Sequence, residues 1–340
     1  LAFYPQPEIQ ELFYLANMFH SFSLATVAML MTLVALTSAL TSSLQAVTNF
    51  TAGPSKAEMY VYIPTTISTP APIIVAIHYC SGSASAYFSQ TQYAALADTH
   101  GYIVIYPSAA SSGSCWDVAS STSLTHGEGG DSLTIVNMVS YAVENFEGDA
   151  SNVFVTGSSS GAMMTNVLAG AYPDVFQAAS VYSGVPDGCF YLASATAEQS
   201  TPGWNSQCST GFEVKTAQEW GNLVRSYYTN YSGPYPKMQM YVLELYSSCH
   251  SVLLQTVLTG YSFHGTADTT LAYSNLAEEM KQWSNVLGVS FTKNVTNTPT
   301  AGYTQMVYGN GTELVGYSGL DVGHTVPVHE DMDLAWFGII

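Results

Sequence analysis

Residues 153–164 read VFVTGSSSGAMM. The run Val153-Phe154-Val155-Thr156 is β-branched and aromatic and predicts a short buried strand. Ala162–Ala171 is rich in helix formers and predicts a helix. Between them stands Gly157-Ser158-Ser159-Ser160-Gly161, a G-x-S-x-G in a strand–turn–helix setting. Serine suits neither a strand interior nor a helix interior. It suits a sharp turn that leaves a hydroxyl exposed. The two glycines are required because side chains there would collide across the turn. Ser159 is then held near a helix N-terminus, where the dipole and the N–H groups favour developing negative charge. A Ser/Gly surface loop has the same composition. The strand before and the helix after separate the two readings.

A nucleophilic serine needs a base, and the base needs an orienting acid. In α/β-hydrolases these follow in the order Ser, acid, His. Three histidines beyond Ser159 have an informative setting: His264, His324 and His329. FHGTAD (263–268) ends an apolar run, turns at Gly265 and puts Asp268 in a loop at a strand's C-terminal end. GLDVGHTVPV (319–328) places His324 between a glycine and a β-branched segment. His329 lies in the acidic, exposed-looking VHEDMD and is the weaker base. His250 falls in a stretch that departs from the rest. The expected triad is Ser159, Asp268 and His324. For the oxyanion hole, APIIVAIHYCSGSA (71–84) holds an apolar strand, Ile73–Ile77, followed by a tight turn. The backbone N–H of Cys80 is the favoured first donor, with Tyr79 as second choice. The N–H of Ser160, the residue after the nucleophile, is the other. His78 reads as structural.

Strands are predicted at Met59–Ile63, Ile73–Ile77, Ile103–Tyr106, Val153–Thr156, Ala179–Tyr182, into Met238–Tyr241, and at Thr304–Val307. Helices are predicted at Tyr87–Thr99, Ser132–Asn145, Ala162–Ala171, Thr216–Tyr228 and Ala272–Leu287. This alternation implies an α/β fold, a mostly parallel sheet with helices on both faces. No internal repeat and no Ser/Thr/Pro-rich linker is seen. Trp116 and Trp204 are candidates for stacking on sugar rings, against a packing role for each.

Of 340 residues, 47% are hydrophobic and 9% charged, with 24 acidic against 6 basic. The net charge of -18 argues against nucleic acid and against anionic membranes, and does not oppose a neutral polysaccharide. No phosphate-binding loop, dinucleotide fingerprint or metal-ligand pair is present, so no cofactor and no metal is expected. The five cysteines are an odd number. Cys80 and Cys115 follow successive strands and can meet at their C-terminal ends. Cys189 and Cys208 bracket a short loop. That pairing leaves Cys249; buried thiols are the alternative. Sequons at Asn49, Asn230, Asn294 and Asn310 are candidate glycosylation sites and fit secretion.

IVAIHYCSGSA, GYIVIYP, CWDVASSTSLTHGEGGDS, VFVTGSSSGAMMTNV, VYSGVPDGCF, GWNSQC, HGTAD and GHTVPV together resemble the fungal acetylxylan and feruloyl esterases of carbohydrate esterase family 1. Those are relatives of the polyhydroxybutyrate-depolymerase-like esterases. The resemblance covers residues 47–240 and 263–338. It implies an α/β-hydrolase fold, the triad Ser159, Asp268 and His324, and acetyl esters on xylan as substrate. Feruloyl esters on arabinoxylan are the nearest competitor. A secreted, extracellular monomer is expected. The other class to be weighed is a non-catalytic carbohydrate-binding protein on a hydrolase fold.

Two regions depart from that pattern. Residues 1–17 precede Met18, a plausible initiator, and read as an extension. Residues 18–46 are apolar and of signal-peptide length, with small residues at Ala39 and Ala46; a membrane anchor is the alternative. Residues 47–340 are then one esterase domain. Within it, 240–262 (MYVLELYSSCHSVLLQTVLTGYS) has no counterpart in the pattern. Its ends can be encoded by a fungal 5′ splice signal, a branch point and an acceptor. Joining the outer bases restores PKMQIFHGTAD in frame. The segment reads as a translated intron, with a loop insertion as the alternative.

Overall fold

The computed structural model describes residues 42–50, 53–197, 203–244, 270–320 and 323–340, with the backbone alone for 242–244. The readings on Asp268, His264, Cys249, His250, residues 1–41 and most of 240–262 lie outside the described residues.

The strands are β1 (Gln45–Ala46), β2 (Glu58–Tyr62), β3 (Ala71–Ile77), β4 (Ile103–Ser108), β5 (Gly148–Ser158), β6 (Ala178–Tyr182), β7 (Lys237–Glu244), β8 (Phe291–Thr296), β9 (Tyr303–Tyr308) and β10 (Leu314–Leu320). The helices are α1 (Ala84–Gln90), α2 (Tyr93–His100), α3 (Ser121–Leu124), α4 (Gly130–Asn145), α5 (Ser160–Ala171), α6 (Ser206–Ser209), α7 (Ala217–Tyr227), α8 (Ser274–Leu287) and α9 (Glu330–Phe337). All strands join one sheet in the order β1-β2-β4-β3-β5-β6-β7-β10-β9-β8. The stretch from β4 to β10 is parallel, and antiparallel pairs close both edges.

Period-two alternation divides each central strand between two cores. Ile73, Val75 and Ile77 of β3 pack with Val153 and Val155 of β5 under Met138, Leu168, Trp220 and Trp283 of α4, α5, α7 and α8. Ile74, Ala76 and Phe154 face the other way, against Tyr87, Tyr93, Ala97 and Leu334 of α1, α2 and α9. Strands buried on both faces explain the nearly continuous apolar runs of the sequence.

The departures from the sequence reading have local causes. The helix expected over Tyr87–Thr99 is two helices. Thr91 is extended (φ -118, ψ 159) and its Oγ1 donates to the Tyr87 carbonyl at 2.7 Å. The next N–H, of Gln92, is taken by Glu330 of α9 at 2.7 Å. A distant carboxylate therefore ends a helix that local propensity would continue. The strands β1, β8 and β10 escaped the pattern. β10 (LVGYSGL) carries two glycines, and β8 (FTKNVT) is exposed almost throughout as an edge. At Gly316 of β10 a Cβ would lie 2.8 Å from the Met280 sulfur, so helix α8 packs where a side chain would stand.

Candidate active site

The parallel strands deliver their C-terminal ends to one rim of the sheet, where sites on such sheets form. β5 leads into Ser159, which has φ 55 and ψ -117, and α5 begins at the next residue. This is a costly conformation for a non-glycine residue. Gly157 and Gly161 make it sterically feasible. A Cβ on Gly161 would sit 2.1 Å from the Ile77 carbonyl oxygen, and one on Gly157 2.5 Å from Gly161 itself. The elbow is fixed from beneath, since the Ser159 N–H donates to the Tyr182 carbonyl at 2.8 Å.

His324 lies between β10 and α9. Its Nε2 is 2.8 Å from the Ser159 Oγ, across 165 positions of sequence. With Nε2 accepting that hydroxyl proton, the ring is the Nδ1–H tautomer. The loop is pinned by Ser183, whose Oγ donates to the His324 carbonyl at 2.8 Å. Ser159 and His324 line a cavity of about 800 Å³, together with Tyr79, Cys80, Ser160 and Trp204. Among the described residues neither the Cys80 nor the Ser160 N–H has a hydrogen-bond acceptor, and both residues line the same cavity as Ser159.

His78, at the end of β3, is fully buried and has a defined tautomer. Its Nδ1–H donates to the Tyr79 carbonyl at 2.7 Å and its Nε2 accepts from the Ala109 N–H at 3.0 Å. Burial lowers its pKa, which keeps the ring neutral. Trp116 is not a sugar platform. It is 1% exposed, and its indole N–H donates to the His78 carbonyl at 2.8 Å. Trp204 is 53% exposed, set edge-on to Phe190 at the cavity wall. His329 is away from the cavity. Its ring packs on Tyr241 and Tyr303, and burial lowers its pKa. The segment around it is not uniformly exposed as its charge suggested: Asp331 is exposed, but Asp333 is fully buried. Disulfides join Cys80 to Cys115 and Cys189 to Cys208. Asn49, Asn230, Asn294 and Asn310 are exposed. Among the described residues no His/Cys/Asp/Glu group has a metal-holding arrangement, and no helix is long and apolar enough to cross a membrane.

Sequence reading missed the support under the elbow. Asp333 of α9 accepts from the hydroxyls of Tyr93 and Tyr182, the latter at 2.7 Å, and from Gln239 at 2.6 Å. The same Tyr182 carries the carbonyl that accepts the Ser159 N–H. Its hydroxyl also accepts the His329 N–H at 3.1 Å. A polar position flanked by Leu334 and Phe337 on one helix face was the available signal.

Burial pushes the Asp333 carboxyl up to about 7 and Glu279 up to about 8, and raises Asp187 well above the usual range. Asp187 has no hydrogen-bond partner for either oxygen among the described residues, and Glu279 none for Oε2. A raised carboxyl binds its proton more tightly folded than unfolded, so its contribution is full in acid and lost as pH rises through the folded value. His78 and His329 act oppositely, costing stability as pH falls below the ordinary imidazole value. Above that value only the carboxyls titrate. The melting temperature should therefore fall between pH 6.5 and pH 8, with each proton worth about 1.4 kcal/mol per pH unit. Calorimetry against pH tests this, and Asp333→Asn should flatten the curve near neutrality. A melting temperature that rises over that interval would contradict the assignment.

The Esterase PHB depolymerase family model matches residues 58–208. The chain is 46% identical over 299 residues to a probable acetylxylan esterase A of Aspergillus fumigatus, covering 87% of this chain and 73% of that one. It is 45% identical over 300 residues to a feruloyl esterase B of Talaromyces funiculosus, covering 88% and 78%. The solved acetyl xylan esterase from Aspergillus awamori superposes with a TM-score of 0.77 at 42% identity, over 88% of this chain and 100% of that one. With a mostly parallel α/β-hydrolase sheet and identities of this level over most of its length, the chain belongs to the family of the acetylxylan esterases A and feruloyl esterases B.

Proposed function

We propose that this esterase removes acetyl groups from acetylated xylan, with Ser159 as nucleophile, His324 as general base and Asp268 as the acid that orients it. The 2.8 Å contact from Ser159 Oγ to His324 Nε2, on a strained elbow at the floor of a cavity, carries the reading. Ser159 Oγ attacks the acetyl carbonyl as its proton passes to Nε2. The N–H groups of Cys80 and Ser160 take the oxyanion. The imidazolium then protonates the departing sugar oxygen. Water, deprotonated by the same ring, releases acetate from the acetyl-enzyme. The role of Asp268 rests on its order in the sequence, since that residue lies outside the described ones.

A feruloyl-esterase reading has its own support. The cavity far exceeds an acetyl group, and Trp204, Leu271 and Val326 give it an apolar wall that suits an aromatic acid. Acetate release from acetylated xylan, set against ferulate release from arabinoxylan, tests the two. Predominant ferulate release would reverse the assignment. Absence of both, with Ser159 untouched by a serine-directed phosphonate, would leave a carbohydrate-binding protein. The exposed sequons and two disulfides support a secreted glycoprotein. Gln45 and Ala46 pair with β2, so removal of a leader at Ala39 keeps β1 whereas removal at Ala46 does not.

The intron reading of 240–262 extends this proposal. β7 runs into that segment, and Tyr241 stacks between Tyr182 and Tyr317 at 4.6 and 4.5 Å. In the shortened chain PKMQIFHGTAD, Phe263 takes the Tyr241 position and keeps an aromatic ring in the stack. That chain also lacks Cys249. It should give more soluble protein, no titratable free thiol and faster acetate release than the 340-residue chain. Equal yield and equal rate would make the segment a tolerated loop.

A further inference from the structure

The two N–H groups proposed for the oxyanion hole lie on different elements, the turn after β3 and the start of α5. Catalysis of this kind requires donors fixed before the charge develops. Three links join them. The side chain of Cys80 is bonded to Cys115. Cys115 is followed by Trp116, whose backbone N–H donates to Ser160 Oγ at 2.9 Å. The Trp116 indole N–H reaches back to the His78 carbonyl, two residues before Cys80. A covalent bond, a peptide unit and a hydrogen bond thus run from one donor residue to the other. The turn is otherwise held by the Ser81 N–H on the Gly113 carbonyl at 2.6 Å and by the Gly82 N–H on the Tyr79 carbonyl at 3.0 Å.

The two disulfides differ in setting. Cys80 and Cys115 are half-buried and line the cavity. Cys189 and Cys208 are 3% and 0% exposed within the core cluster under α7 and α8. We infer that the Cys80–Cys115 bond is a positioning element of the oxyanion hole, reachable by small thiols from the active-site cavity, so that its reduction lowers turnover while the fold stands. This rests on the proposed esterase site.

The chemistry balances with a small dithiol as reductant. Its thiolate attacks one sulfur of the pair, forming a mixed disulfide and expelling the other cysteine as thiolate. The dithiol's second thiolate closes a cyclic disulfide and releases the second cysteine. Two electrons pass to the protein, and each cysteine thiolate takes a proton from water. Without the bond the Cys80 turn is tied to the Ser160 side only through hydrogen bonds, from Ser81 to Gly113 and from the Trp116 indole to His78. A displacement of about 1 Å costs on the order of 100-fold in rate.

The test uses the full chain carrying Cys249→Ser, treated with dithiothreitol and assayed on p-nitrophenyl acetate before alkylation. Peptide mass spectrometry should find Cys80 and Cys115 alkylated and Cys189 and Cys208 protected. At that point kcat should be down about 10- to 100-fold with KM little changed. The melting temperature should fall only by the several degrees that opening a loop of this length produces and stay well above the assay temperature, and reoxidation should restore kcat. The Cys80→Ala/Cys115→Ala variant should reproduce the loss without recovery. Trp116→Phe, which keeps the bulk and removes the indole N–H, should lower kcat in the same sense. Unchanged kcat with both cysteines shown open would overturn the inference. So would a loss that follows melting or does not return on reoxidation, because the bond would then act through the fold. Failure of the underlying site reading is separate: the oxidised enzyme would then keep its turnover after Ser159→Ala.

Discussion

Ser159→Ala is expected to lower acetyl-ester turnover by at least about a thousandfold and to leave the melting temperature nearly unchanged. The hydroxyl is half-buried, and its one described side-chain partner is His324 at 2.8 Å. The structural demands on the position are met by the backbone. Its N–H donates to the Tyr182 carbonyl, and its carbonyl accepts the Met163 N–H at 2.9 Å in the first turn of α5. Alanine keeps both, and it carries the same Cβ at φ 55, so the strain of the elbow is neither added to nor relieved. What is lost is the atom that bonds to the acetyl carbon. Water held by the remaining groups supplies only a residue of the rate. Steady-state rates on p-nitrophenyl acetate and a thermal melt measure both halves. Activity above about one thousandth of the parent would place the nucleophile elsewhere.

How much of this was legible depended on how local its cause was. The elbow could be read because strand, turn and helix adjoin, although only Gly157 answers a clash within the turn, while Gly161 makes room for the Ile77 carbonyl of β3. The sheet interior could be read because β3, β4, β5 and β6 are apolar on both faces. β10 could not, because Gly316 is explained by Met280 on another element. The break at Thr91 has the same character, since its partner Glu330 is 238 residues from Gln92. Trp116 stayed open between a sugar platform and packing, because a tryptophan beside a loop cysteine has both uses. Only its indole bond to His78 shows which applies. Asp333 hid in an acidic run that resembles a solvated helix start. Its burial depends on two tyrosines and a glutamine contributed by α2, β6 and β7. Groups proposed to perform chemistry were visible through their motifs. Groups that hold those in place were not, because their partners are assembled only by the fold.

His324→Ala and His329→Ala should separate chemistry from stability. Removing the His324 imidazole should cost about a thousandfold or more in kcat, since Ser159 then has no base. KM should change little, because the cavity walls of Trp204, Leu271 and Val326 remain. The loop should keep its path: Ser183 bonds the His324 carbonyl, which alanine retains. His329 stands in the opposite situation. Its ring lies 5.5 Å from Tyr241 and 5.6 Å from Tyr303, centre to centre, and does not line the cavity. Its backbone N–H on the Tyr182 hydroxyl survives substitution. Two aromatic contacts at roughly 0.5–1.5 kcal/mol each place the stability loss at about 1–3 kcal/mol. Turnover should stay within about tenfold of the parent, because Tyr182 still holds the nucleophile's N–H. Rates and melting curves measured on both variants give a crossed pattern, activity lost in one and stability in the other. If His329→Ala proves the inactive variant and His324→Ala the merely less stable one, the base is His329 and the site must be rebuilt around it.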